Sequence, residues 1–200
     1  MRYVAILSLF LFATNAKALQ TSEALVTPFY GYGVINFLGG GKVPTFNGHY
    51  YGVEGEYKFV GETLSLGFTG AVSQGSFDND ANNEVETETL DLTGHRFGLK
   101  LYYHDMYLKA GYGFVSLKNV ATGSVANTLD MSTDLVSFGI GYTYPFSSYI
   151  RLNFGFDMDY AEIEPSSTGV TTRADYYNYG ASIGLQIVIP SSAYVNPRGK

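Results

Sequence analysis

His49, His95 and His104 are the side chains of this 200-residue sequence best suited to moving protons near neutral pH. Nucleophilic catalysis would need a serine or cysteine held against one of them, with a carboxylate to orient the ring. The chain has no cysteine, and the residues two positions after the histidines are Tyr51, Phe97 and Met106, so no serine stands at that spacing. The expectation is no catalytic residue and no enzymatic activity. The acidic run Asp78, Asp80, Glu84, Glu86, Glu88 and Asp91 could draw calcium, and DNDANN imitates the opening of a calcium loop. Asn83 stands where such a loop needs glycine and Thr89 where it needs the bidentate glutamate, so the run reads as a solvated surface loop. The pairs Gly31/Gly33, Gly111/Gly113 and Gly139/Gly141 precede no helix and do not cradle phosphate. No cofactor and no metal is expected.

A third group of charges has another logic. Glu54, Glu56, Lys58, Arg96, Lys100, Lys109, Arg151, Asp157 and Asp159 all occupy the polar parity of alternating segments. Four acids and five bases nearly neutralise one another, which suits an enclosed interior better than a binding patch for one sign of charge. Across the turn His104-Asp105, Lys100 falls opposite Lys109. Like charges so placed repel, and a narrow interior screens them poorly. The expectation is an ion cluster of Glu54 or Glu56 with both lysines, capped by Arg96.

The elements that position this set are strands. From Ser148 to Tyr160, Ile150, Leu152, Phe154, Phe156, Met158 and Tyr160 alternate with Arg151, Asn153, Gly155, Asp157 and Asp159. Successive side chains of a strand point to opposite faces, so one face is greasy and the other charged. Eleven residues of this pattern match a membrane-spanning strand, which needs about 9–11.

The same grammar recurs seven more times. Strands are predicted at Leu25 to Asn36, at His49 to Phe59, from Leu64 through Ser73, and up to Tyr103. Others follow at Tyr107 to Phe114, Val136 to Thr143, and Tyr176 to Ile189. In the fourth, Leu90 to His95 break the phase, suggesting a bulge or a segment above the membrane. Long polar connections at 37–47, 75–89, 118–131 and 161–174 alternate with short turns, as in outer-membrane barrels with short periplasmic turns and long extracellular loops.

The first 18 residues read as a secretory signal: Arg2, an apolar run from Tyr3 to Ala13, then Ala16-Lys17-Ala18 with cleavage after Ala18. About eleven apolar residues are too few for a spanning helix. Loss of Arg2 and Lys17 takes the formal charge from −6 to −8, and no basic patch invites nucleic acid. Without cysteine there is neither a disulfide framework nor a lipidated thiol. The 18 tyrosines and 14 phenylalanines suit interfacial girdles, and the 24 glycines suit a narrow lumen. The expected domains are a signal peptide (1–18), an all-β, eight-stranded antiparallel up-and-down transmembrane β-barrel (19–190), and a short periplasmic tail (191–200).

In strand pattern and loop rhythm the chain resembles the small eight-stranded outer-membrane barrels: the OmpA transmembrane domain, OmpX and the opacity-type proteins. Gly184, Ile187 and Ile189 resemble the spaced C-terminal assembly signal of such proteins, although the tail continues past Ile189. The resemblance implies a Gram-negative outer-membrane location and contact with membrane lipid and lipopolysaccharide. It also implies a monomeric structural or surface role, with four loops meeting an extracellular ligand or host surface. A narrow small-solute channel is the alternative to a lumen plugged by salt bridges.

Overall fold

The computed structural model describes residues 21–38, 45–61, 63–79, 88–121, 130–163 and 174–190. The expected signal peptide, the C-terminal tail and the middle of each long connection lie outside them. Eight strands follow in order: β1 (Thr21–Leu38), β2 (Phe46–Val60), β3 (Leu64–Asn79), β4 (Glu88–Tyr103), β5 (Met106–Ala121), β6 (Asp130–Pro145), β7 (Ile150–Ile163) and β8 (Ala174–Pro190). Each pairs antiparallel with its neighbours in sequence, and β1 pairs with β8 to close the barrel.

Closure satisfies every strand edge, which a bilayer demands because its core offers backbone groups no hydrogen bonds. The registers also set the barrel's stagger. Successive partners from Val26 are Gly55, Gly70, Phe97, Tyr112, Val136, Tyr160 and Tyr177, and the circuit returns to β1 at Asn36. The shift is 36 − 26 = 10 residues, so the strands must tilt, by roughly 35–45° in barrels of this kind.

The outward face of the half with short connections carries Leu64, Leu101, Leu108, Ile140, Phe154 and Ile187, all well exposed. Aromatic side chains flank this band: Tyr57, Tyr103, Tyr144 and Tyr149 towards the short turns, Tyr30, Tyr51, Tyr112 and Phe114 towards the long connections. These are the two girdles of a spanning barrel. His49 belongs to the second, stacked on Tyr30 at 5.4 Å and edge-on to Tyr32 at 5.1 Å. His104 sits in its two-residue turn at φ 54°, against Tyr103.

Strands of 14 to 18 residues are longer than a bilayer requires. They run into what the pattern suggested were loops: β3 reaches Asn79, β5 reaches Ala121, and β1 begins at Thr21 rather than Leu25. Of the two readings of Leu90 to His95, a bulge or a segment above the membrane, the bulge is absent from β4. Its residues pair in unbroken register with β3 from Asp78↔Thr89 to Leu64↔Tyr103, and with β5 from Glu88↔Ala121 to Tyr103↔Met106. The phase never slips; the chemistry of the two faces inverts. Towards the long connections the inward positions become apolar, and Ile35, Phe46, Phe77, Leu90, Leu92, Val115, Leu117, Leu135 and Tyr176 form one buried cluster with Phe29 and Phe37 against it. The outward positions become polar there, as at Asn47, Gln74, Thr93 and Lys118. The upper barrel is thus built like a water-soluble one, around a greasy core.

Candidate functional site

The inward parity of the lower half brings the charged set into the lumen. Lys100 lies opposite Lys109 in register. Lys100 is 1% exposed and makes a close ion pair with Glu54, with Glu56 at 3.2 Å. Its ammonium also sits 4.6 Å from the ring centroid of Tyr107. Lys109 turns to Asp157 at 2.8 Å and approaches Glu54 at 3.7 Å. Glu54 therefore sits between two lysines, which answers their mutual repulsion. The Tyr102 hydroxyl donates to Glu56 at 2.7 Å, and Lys58 lies over the Tyr102 ring at 3.9 Å.

Arg96 does not cap this group. Its guanidinium grips Asp159 in bidentate fashion, at 3.1 Å and 2.5 Å, and donates to Ser73 at 3.0 Å. Asn178 donates to the same carboxylate at 3.1 Å. The planar fork of arginine matches a single carboxylate in bidentate geometry.

Arg151 binds Glu23 through both terminal nitrogens, at 2.9 and 3.0 Å. Sequence reasoning missed Glu23 because β1 was expected to start two residues later. Its parity, shared with Leu25 and Gly31, was the available signal. With Glu23 the lumen set becomes five acids and five bases, formally neutral among the described residues.

Glycine makes room for these groups. A Cβ at Gly67 would strike the Glu56 carboxylate, and one at Gly139 the Asp157 carboxylate. Between the ionic layer and the apolar cluster lies a cavity of about 40 Å³, lined by Thr27, Ser137, Asn153, Asp157 and Asn178 among others.

The exterior shows how a catalytic-looking row can fail. His49 pairs with Ser76, and Ser76 with Asp91, on one outward face. A relay needs the histidine between serine and carboxylate. Here serine is in the middle, and the imidazole is turned away towards Tyr30 and Tyr32. Among the described residues no group of three or more His, Asp or Glu could hold a metal ion.

No protein-family model matches the chain, and no curated protein does. Solved structures do. Neisserial surface protein A (NspA) aligns with a TM-score of 0.56 at 13% identity, over 84% of this chain and 99% of that one. Ail, the attachment invasion locus protein of Yersinia pestis, was solved with the heparin analogue sucrose octasulfate. It aligns at 0.49 and 11%, over 84% and 100%. OprG from Pseudomonas aeruginosa aligns at 0.45 and 9%, over 84% and 97%. At these identities the likeness is one of architecture. The chain has the fold of the small eight-stranded outer-membrane β-barrels.

Proposed function

We propose that the protein is a monomer in the outer membrane of a Gram-negative bacterium, exported by a signal peptide cleaved after Ala18, and that it works through its surface. The observation that carries this reading is the occupied lumen. Ten formally compensating charges face the lower and middle lumen and an apolar cluster the upper, which supports a lumen whose own side chains take the space a solute would need. On this reading it acts without catalysis, which the order of the His49, Ser76 and Asp91 row among the described residues supports.

The long strands then act as a stiff stalk. Their ends towards the long connections rise past the apolar band, with lipopolysaccharide around the polar outer wall, and the four long connections are the parts that meet an extracellular ligand or host surface. Cells displaying the intact chain should bind extracellular-matrix proteins or glycosaminoglycans more than cells displaying variants with all four connections shortened. Heat-modifiable migration of the shortened variants would show that the barrel itself survives. Equal binding by both would overturn the surface role.

The central cavity is what favours a second reading, a narrow small-solute channel, and membrane conductance separates the two.

A further inference from the structure

The lumen has three layers, and the middle one has unmet hydrogen-bonding capacity. Asn153 accepts the Tyr107 hydroxyl with its carbonyl, at 2.9 Å, which leaves its amide nitrogen without a protein partner. Asn178 donates to Asp159, which leaves its carbonyl oxygen likewise. Thr27 adds a hydroxyl in the same condition. All three residues are more than nine-tenths buried and line the cavity of about 40 Å³. A buried polar atom without a partner costs about 1–3 kcal/mol, so a donor, an acceptor and a hydroxyl around one space call for something that can serve all three.

Water does so, and one water needs about 10–15 Å³ of such volume, which gives room for about three. The charges beside the space agree. Lys109, Asp157 and Arg96 keep 14%, 23% and 15% of their side-chain surface accessible, whereas Lys100, Glu56 and Asp159 keep 1% each. Arg151 and Glu23, at the short-turn end, keep 19% and 24%, so the lumen retains surface at this level and at its lower mouth, on either side of the nearly inaccessible layer.

The layers on either side are filled by opposite means. Below stand Lys100, Glu56, Tyr102 and Tyr107, all nearly inaccessible. Above stand Phe77, Leu92, Leu117 and Leu135, whose side chains offer water nothing to bond with.

We propose that the mid-barrel chamber is a hydration site for a short chain of water molecules, closed on one side by an ionic plug and on the other by an apolar one. This rests on the plugged-lumen reading and adds to it. The ionic layer has an apolar partner in series, so neutralising the charges alone does not open the barrel.

Because the chain has no cysteine, a single introduced thiol reports on the chamber. Ser137→Cys, or Ala71→Cys as a second position, is to be folded into vesicles and exposed to silver ions. The thiol is then titrated after unfolding in hot detergent. Protection from silver is expected in the otherwise unaltered barrel and with Lys100→Met plus Glu54→Gln. Loss of protection from the long-connection side is expected with Leu92→Ser plus Leu117→Ser. Silver uptake by the unaltered barrel, or continued protection when the apolar layer is made polar in a folded variant, would overturn the two-plug arrangement.

Hydration is read separately. Water cross-relaxation with the side-chain amides of Asn153 and Asn178 is expected in the wild type, and its absence at both would overturn the hydration site. A wild type that conducts ions would refute the plugged lumen itself. A non-conducting wild type, together with silver uptake by Ser137→Cys in the otherwise unaltered barrel, leaves the plugged lumen intact and refutes the sealed chamber.

Discussion

Replacing Lys100 by methionine tests the ionic layer where its partners are densest. The side chain is 1% exposed and meets two carboxylates and the Tyr107 ring. Without its charge, Glu56 keeps the Tyr102 hydroxyl and Glu54 keeps only Lys109 at 3.7 Å. One negative charge is then buried without compensation, at a cost of about 3–5 kcal/mol. Glu54→Gln is milder, because Lys100 retains Glu56 at 3.2 Å and Lys109 retains Asp157 at 2.8 Å. About 2–3 kcal/mol fits the loss of one of two partners from such a site. In the double variant the charges leave together and a neutral amide faces a thioether of similar length. The expected cost is about 3–4 kcal/mol rather than the sum of about 5–8, a coupling of roughly 3 kcal/mol, at the upper end for residues in contact. The assay is reversible urea unfolding in lipid vesicles, followed by the heat-dependent gel shift of closed barrels. Additive costs would mean that Lys100 and Glu54 do not depend on each other, and the compensated interior would lose its support.

The faces make their own forecasts. Phe154→Arg puts a cation on the apolar outer band and should cost about 2–4 kcal/mol, whereas Thr93→Arg on the polar outer wall of the same barrel should cost about 0–1, both read by the same unfolding assay. Leu117→Ala, in the fully buried apolar cluster, should cost about 2–5 kcal/mol, and a cost near zero would mean that the upper lumen is not packed. Gly139→Ala should weaken the barrel, because its Cβ meets the carboxylate that Lys109 needs, while Gly70→Ala should be nearly silent, its Cβ lying 3.7 Å from the Phe97 ring on the outer face. Equal behaviour of the two glycine variants would contradict the placement of the ion pairs.

Strand number, pairing order and face assignment were legible in the sequence because a period of two is local information. Tyr51 and Glu54 declare their faces whatever lies across the sheet. Where each strand stops is different. Phe77 lies fully buried inside the apolar cluster, yet it sits in the run Gly75 to Thr89, whose composition says loop. It shares that cluster with Ile35 and Leu117, far away in sequence. The phase change at Leu90 was a real signal with two readings: the unbroken register rules out the bulge, and the apolar interior under a polar outer wall fits the segment above the membrane. In the ion set, residue types and parity were readable, and so was the conflict of Lys100 with Lys109. The choice of Asp159 for Arg96 was not, since it joins β4 to β7 across the lumen. No neighbour in sequence carries that distance.

The central claim is that side chains, rather than a permeating solute, occupy this barrel. Single-channel recording of the purified, folded wild type in a planar lipid bilayer tests it most directly. The account predicts no steady conductance in potassium chloride at moderate voltage, with the gel shift confirming that the inserted protein is folded. A reproducible unitary conductance that disappears when the sample is heat-unfolded before reconstitution would contradict it.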